Sequence, residues 1–192
     1  MADGTKDDAD AARVAAGDHE AFEGIVRRWQ RPLVGLAWRF CRDRAMAEDM
    51  AQEAFLKAFK AIRTFRGDSA FSTWLIAIAL NTYRSRLRAE GPPLLAIDAA
   101  DAPGQDPRLV QGLQDEQRAE SVRRAVLALP PRYRDAIVVY YFEERDLAEA
   151  ARVLGVAEGT LKARLHRGRA LLRRRCAALA AAGEASAREE AS

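Results

Sequence analysis

From Gly91 to Pro107 the chain abandons the helical period that governs it on both sides. GPPLLAIDAADAPGQDP carries four prolines and three aspartates. Proline fixes φ and removes a backbone donor, so the stretch predicts an extended, semi-rigid path and no packed element. A chain of 192 residues broken in this way must fold as two small modules. We place them at residues 20–90 and 111–180, with 91–110 as linker, 1–19 as an acidic N-terminal segment and 181–192 as a mobile tail. Apolar residues at 49% and charged residues at 31% exclude wholesale disorder. Modules of this size bury modest cores, so the apolar faces must pack efficiently.

Both modules read as helices throughout, and the predicted fold class is all-α. Asp7 to Gly17 is Ala-rich and predicts a short, frayed helix ended by Gly17. From Glu20 to about Cys41, the residues Phe22, Ile25, Trp29, Leu33, Leu36 and Phe40 keep the spacing of one helical face, with a kink or restart expected at Pro32. Ala45 to Thr64 repeats the pattern with Ala47, Ala51, Ala54, Phe55, Ala58, Phe59 and Ile62 inward. Its other side holds Asp49, Gln52, Glu53 and Leu56 at offsets of three and four. Three of these suit a solvated face; Leu56 among them suggests a docking surface for a basic partner helix.

The loop Gly67-Asp68-Ser69-Ala70 then leads into a helix expected to run to about Arg88 or Glu90. Asp68 or Ser69 can cap its first turn. Phe71, Trp74, Leu75, Ile78 and Thr82 are its predicted core stripe. Thr73, Ala77, Asn81, Arg84 and Arg88 form the opposite stripe, an odd surface for a purely structural helix. In the second module Leu113, Val122, Val126 and Leu129 lead to Pro130-Pro131, where Pro131 suits the first turn of a helix carrying Tyr133, Ile137, Val138, Tyr140 and Tyr141.

Charge is more informative in its distribution than in its total of +3. Acid collects at the N-terminus, whereas Lys162, Arg164, Arg167, Arg169, Arg173, Arg174 and Arg175 stand together without an acid between them. Such a block points to a polyanion. The block follows Asp146, a predicted cap with Glu149 three residues on, a short apolar stripe, and Gly155 as the stop. Short helix, turn, second helix with basic residues outward is a helix-turn-helix. Leu161, Leu165, Gly168 and Leu172 are its predicted buried side. Thr160 and the free amides beside it can hold a phosphate, Lys162 and Arg167 can reach guanine, Ala163 and His166 share that face, and Arg164 suits a phosphate.

Cys41 and Cys176 imply neither a disulfide framework nor a metal site, and His166 has no second ligand at a suitable spacing. No metal or cofactor is expected. The acidic first residues do not read as a secretory leader, and no run approaches about 18 apolar residues, so no membrane insertion and a cytoplasmic location are expected. Paired carboxylates, a Ser-His-Asp set and a phosphate loop are all missing from the sequence, so an enzyme is the least supported class. A repressor or activator with an N-terminal ligand or dimerisation domain, and an adaptor that binds a protein partner without reading DNA, stay open on the residues alone.

The ordered set AEDMAQEAFLKAF, FRGDSAFSTWLIAIALN and GVAEGTLKARLHRGRALL, divided by a Pro-rich linker, resembles a bacterial extracytoplasmic-function (ECF) sigma factor over about residues 20 to 180. The resemblance implies promoter-directed transcription initiation, with the clamp helices and flap region of core RNA polymerase and promoter DNA as partners, and control by an anti-sigma factor. It gives Asp49, Gln52, Glu53 and Leu56 to polymerase. It gives the loop Gly67, Asp68, Ser69, Ala70 and Phe71, with Asn81, Arg84 and Arg88, to the −10 element, where a flipped base would be held. Lys162, Ala163, His166 and Arg167 match its −35 reading positions. Ala163 departs from the small hydroxyl residue often found there.

Overall fold

Every regular element among the described residues of the computed structural model, 4–90, 121–142 and 146–190, is a helix, as expected. The chain divides into two units, Met1–Leu95 and Ala96–Ser192. The linker expectation and the reading at Leu113 lie outside the described residues.

In the first unit, α1 (Gly4–Ala15), α2 (Ala21–Cys41), α3 (Arg44–Ala61) and α4 (Phe71–Glu90) pack around one core, with a 3₁₀ turn at Ile62–Thr64 after α3. Ile25, Leu33, Leu36, Phe40, Met50, Leu75, Ile76, Leu80 and Tyr83 are fully buried, and each such side chain contributes roughly 1.5–3 kcal/mol by leaving water. The buried Tyr83 hydroxyl donates to the Leu33 carbonyl at 3.0 Å, so its burial leaves no orphaned polar group. α2 runs through Pro32 as one helix, without the expected restart. It ends at Arg42, whose backbone is left-handed (φ 58) and whose guanidinium lies 4.9 Å over the Trp38 ring. Asp43 then caps α3, its carboxylate accepting from the Met46 amide at 2.7 Å.

The N-terminal segment behaves differently from its expectation as a short frayed helix. Ala11 and Val14 are buried, and α1 packs on α2 and α4. Asp7 and Asp10 are buried with them because Arg28 reaches both: Nε donates to Asp7 Oδ1 at 2.7 Å and Nη2 to Asp10 Oδ2 at 2.6 Å. Trp29 Nε1 donates to the other Asp7 oxygen at 2.9 Å. Burial would lower the Arg28 pKa, but its hydrogen bonds to Asp10 and Asp7 outweigh that and raise it. Three oxygen contacts therefore offset the cost of placing charge in the interior.

In the second unit, α5 (121–127) leads through Pro130 to α6 (Pro131–Ile137), which starts with proline in its first turn as expected. α6 widens into a π turn over Val138–Phe142. That widening shifts the phase of the helix. Val139 is buried and Tyr141 is 46% exposed, where an even helical period places Tyr141 inward. α7 (Leu147–Leu154) and α8 (Glu158–Glu190) complete the unit, α6 and α7 both packing on α8. Gly168 of α8 lies where a Cβ would come within 3.2 Å of Ile137, which lets the two helices approach. α8 continues helical to Glu190, past residue 180 where the sequence reading ends the module.

Candidate nucleic-acid interface

The helix-turn-helix is built from local contacts. Asp146 Oδ1 accepts from the Glu149 amide at 2.7 Å and starts α7. Gly155 stops α7 in the left-handed region (φ 64), which glycine adopts without steric cost, while the Val156 amide returns to the Ala151 carbonyl at 3.0 Å. Leu161 and Leu165 bury α8 against the unit. Their spacing turns Thr160, Lys162, Ala163, His166 and Arg167 to solvent, with Arg164 half-buried at the edge. Arg167 is not independent of the core below it. Its hydrogen bond to the Tyr133 hydroxyl, against the opposing effect of burial and together with Arg132, lowers the Tyr133 pKa from its usual value. Arg132 also stacks 4.7 Å from the Tyr133 ring centre. Farther along, Arg169 Nη1 donates to the Tyr141 hydroxyl at 3.3 Å.

In the first unit the loop before α4 is held at both ends. The Phe65 and Phe71 rings meet edge to face with centres 5.5 Å apart, and Trp74 lies 5.5 Å from each. Gly67 takes a positive φ of 76 within the turn. Gly67, Asp68 and Ala70 are exposed and Ser69 is half-exposed, whereas Phe71 is fully buried. Phe71 therefore supports the loop and presents nothing to a ligand. The cap expected from Asp68 or Ser69 comes from elsewhere: Asp8 Oδ1 accepts from the Phe71 amide at 2.9 Å, across 63 residues of sequence.

The stripes of α4 are rotated from their predicted phase. Leu75, Ile76, Ala79, Leu80 and Tyr83 form the core side, and Thr73 is buried with them. Trp74 and Ile78 are half-exposed and join Ala77, Asn81, Arg84 and Arg88 on the outer side. Sequence reasoning missed both, because 74–80 is apolar at every position and offers no contrast from which to read a face. Along the outer side, Arg84 Nη1 donates to Asn81 Oδ1 at 3.1 Å and Arg88 Nε to the Arg84 carbonyl at 3.3 Å. Arg66, exposed next to Gly67, adds charge that the prediction did not include.

A third surface lies on α3. Asp49 and Gln52 are exposed, Leu56 is 61% exposed, and Glu53 pairs with Lys57 at 2.7 Å. The four predicted residues thus share one face, acidic with an apolar centre.

Residues 25–92 match the family model of sigma-70 region 2, and residues 119–172 that of sigma-70 region 4. The chain is 36% identical to the RNA polymerase sigma-H factor of Pseudomonas aeruginosa, over 82% of this chain and 86% of that protein. It is 34% identical to the ECF RNA polymerase sigma factor SigW of Bacillus subtilis, over 84% and 92%. The chain belongs to the ECF sigma factors of the sigma-70 family. Among solved structures, CnrH in complex with the cytosolic domain of CnrY matches with a TM-score of 0.65 at 25% identity, over 88% of this sigma factor and 96% of that chain. Members of the family are initiation factors for RNA polymerase, acting at promoters without a catalytic chemistry of their own. Among the described residues, no helix is long and apolar enough to cross a membrane and no acidic, His or Cys cluster could hold a metal ion.

Proposed function

We propose that the three surfaces divide the work of promoter-directed initiation among themselves. The α3 face of Asp49, Gln52, Glu53 and Leu56 binds the clamp helices of core RNA polymerase, acid meeting base around the apolar Leu56. The second unit engages the flap region and reads the −35 element through α8, with Lys162, Ala163, His166 and Arg167 in the major groove and Thr160 and Arg164 on phosphates. The loop of Gly67, Asp68, Ser69 and Ala70, with Asn81, Arg84 and Arg88, holds the −10 element after strand opening, and Phe71 acts from beneath. A flipped base loses its stacking, and the loop and the half-exposed Trp74 beside it supply compensating contacts. Opening is driven by binding energy, so no catalytic side chain takes part. The work belongs in the cytoplasm, where polymerase and chromosome meet.

The observation that carries this reading is the presence, on one small unit, of an acidic face centred on exposed Leu56 and a separate basic stripe beside a glycine loop. A simple repressor has no use for the first. Run-off transcription with purified core polymerase over a genomic promoter library tests it: transcripts should start at a discrete promoter class only when this chain is present. Tight duplex binding without polymerase, and no new transcripts with it, would favour the repressor reading.

Control by an anti-sigma factor is part of the same proposal. CnrH was solved with the cytosolic domain of CnrY bound, and a partner that covers both the α3 face and α8 would silence this chain as well. Added stoichiometrically to core polymerase, such a partner should abolish run-off transcription, and transcription that continues would remove it as a regulator.

A further inference from the structure

We infer that Asp8 is a positioning residue for promoter opening, reaching from α1 to fix the loop at 66–70 through the first amide of α4. The inference rests on the reading of that loop as the −10 surface. Three observations converge on it. Asp8 Oδ1 accepts from the Phe71 amide at 2.9 Å, a side-chain acceptor at the first residue of this helix. The neighbouring Asp7 and Asp10 are clamped on Arg28 and Trp29 of α2, so α1 cannot slide or turn without breaking buried bonds. The Ala70 carbonyl accepts from Thr73 and Trp74 at 3.0 and 3.3 Å and so opens the helical ladder, and the Phe71 amide that Asp8 holds stands directly after it.

The geometry gives α1 a division of labour. Asp7 and Asp10 hold it to α2, and Asp8, exposed between them, points its oxygen at α4. The loop is then pinned by the Phe65–Phe71–Trp74 cluster below and by Asp8 at its exit. A free helix N-terminus frays, and fraying here would release exposed Ala70 and half-exposed Ser69 of the loop. A loop that captures an extruded base must be ordered before the base arrives, because ordering it afterwards takes free energy from the capture. Asp8 supplies that order without touching DNA.

The test uses the full chain with core polymerase on the strongest promoter found by run-off transcription, comparing wild type, Asp8→Ala, Asp8→Asn and a loop variant with Asp68→Ala and Ser69→Ala. Permanganate reactivity of −10 thymines reads opening, and binding to core polymerase and thermal unfolding are measured alongside. Asp8→Ala should lower opening about fivefold, the factor that one capping bond is worth, with polymerase affinity unchanged. Asp8→Asn keeps an oxygen acceptor and should recover most of the opening. Hydrogen exchange of the Phe71 amide should quicken in Asp8→Ala while the amides of α2 keep their protection. Normal opening in Asp8→Ala, with the loop variant impaired, overturns the role of Asp8 and leaves the loop assignment standing. Normal opening in the loop variant removes the loop assignment and, with it, the role given to Asp8. Unchanged exchange at Phe71 also counts against the inference, whether or not the promoter opens.

Discussion

α4 and α8 both carry arginines along an exposed side, yet they are started by opposite means. The turn before α8 is written within ten residues: Asp146 caps α7 three residues on, and Gly155 stops it with a backbone that glycine adopts freely. The first turn of α4 depends on Asp8, 63 residues earlier, and Asp8 depends on the buried attachment of α1 to Arg28 and Trp29. One helix can therefore be placed by its own local sequence, whereas the other takes its start only once a whole unit has folded. For a factor proposed to choose a site with one unit and open DNA with the other, the second task is the one tied to tertiary order.

The strongest way to break this comparison is Asp7→Ala. It leaves Arg28 partly buried without one of its two acids and Trp29 Nε1 without its acceptor, and it should cost about 3–5 kcal/mol in the first unit. All three tryptophans, Trp29, Trp38 and Trp74, belong to that unit, so urea unfolding followed by tryptophan fluorescence reads it alone. A loss below about 1 kcal/mol, the scale of an exposed pair, would mean that α1 is an appendage after all. Gly155→Ala is the counterpart in the second unit. It forces a Cβ into the left-handed region at about 1–2 kcal/mol, visible by circular dichroism, with tryptophan fluorescence unmoved.

Arg167→Ala tests whether α8 reads sequence. We expect a loss of about 1–3 kcal/mol confined to one −35 base pair in competition binding by the holoenzyme; an equal loss on every sequence would make Arg167 a phosphate contact. Because the Tyr133 hydroxyl holds its side chain, Tyr133→Phe should weaken the same base preference to a smaller degree. Asp49→Arg with Glu53→Arg should leave stability within about 0.5 kcal/mol, since both are surface changes, while polymerase pull-down is lost. Retained binding would remove the docking assignment.

The smallest expected effect is on acid stability. The hydrogen bond from Arg13, against the opposing effect of desolvation, lowers the Asp18 pKa. A lowered carboxylate stabilises the fold above its unfolded pKa, and that contribution fades as pH falls below about 4. Asp18 is half-exposed and its partner Arg13 exposed, so Asp18→Asn should flatten the acid limb of the thermal melting curve only slightly. A large shift would mean that the turn between α1 and α2 matters more than its exposure indicates.

The same contrast explains what could be read in advance. The helix-turn-helix was legible in its cap, its glycine stop and its buried Leu161, Leu165 and Gly168, because these are local signals; Leu172, expected inward with them, is half-exposed. The acidic face of α3 was legible for the same reason, its four residues standing three and four apart among inward alanines. α4 was legible as a helix but not in its phase, since a run apolar at every position from 74 to 80 marks no side as buried. The exposure of Tyr141 was not legible, because a π turn shifts the register, which no propensity announces.

By itself, then, the sequence determined that this protein is helical, that it breaks into two modules at a proline-rich stretch, and that it turns a basic helix outward after Gly155. Its ordered motifs already resembled the family to which it belongs. Only the tertiary structure decided that three N-terminal aspartates are structural, that Trp74 and Ile78 are left half-exposed, and that Asp8 starts α4. The reason is one of range. Caps and periods act over a few residues of chain and leave a mark in the order of letters, but a carboxylate in aqueous solution has no address until folding brings its partner to it.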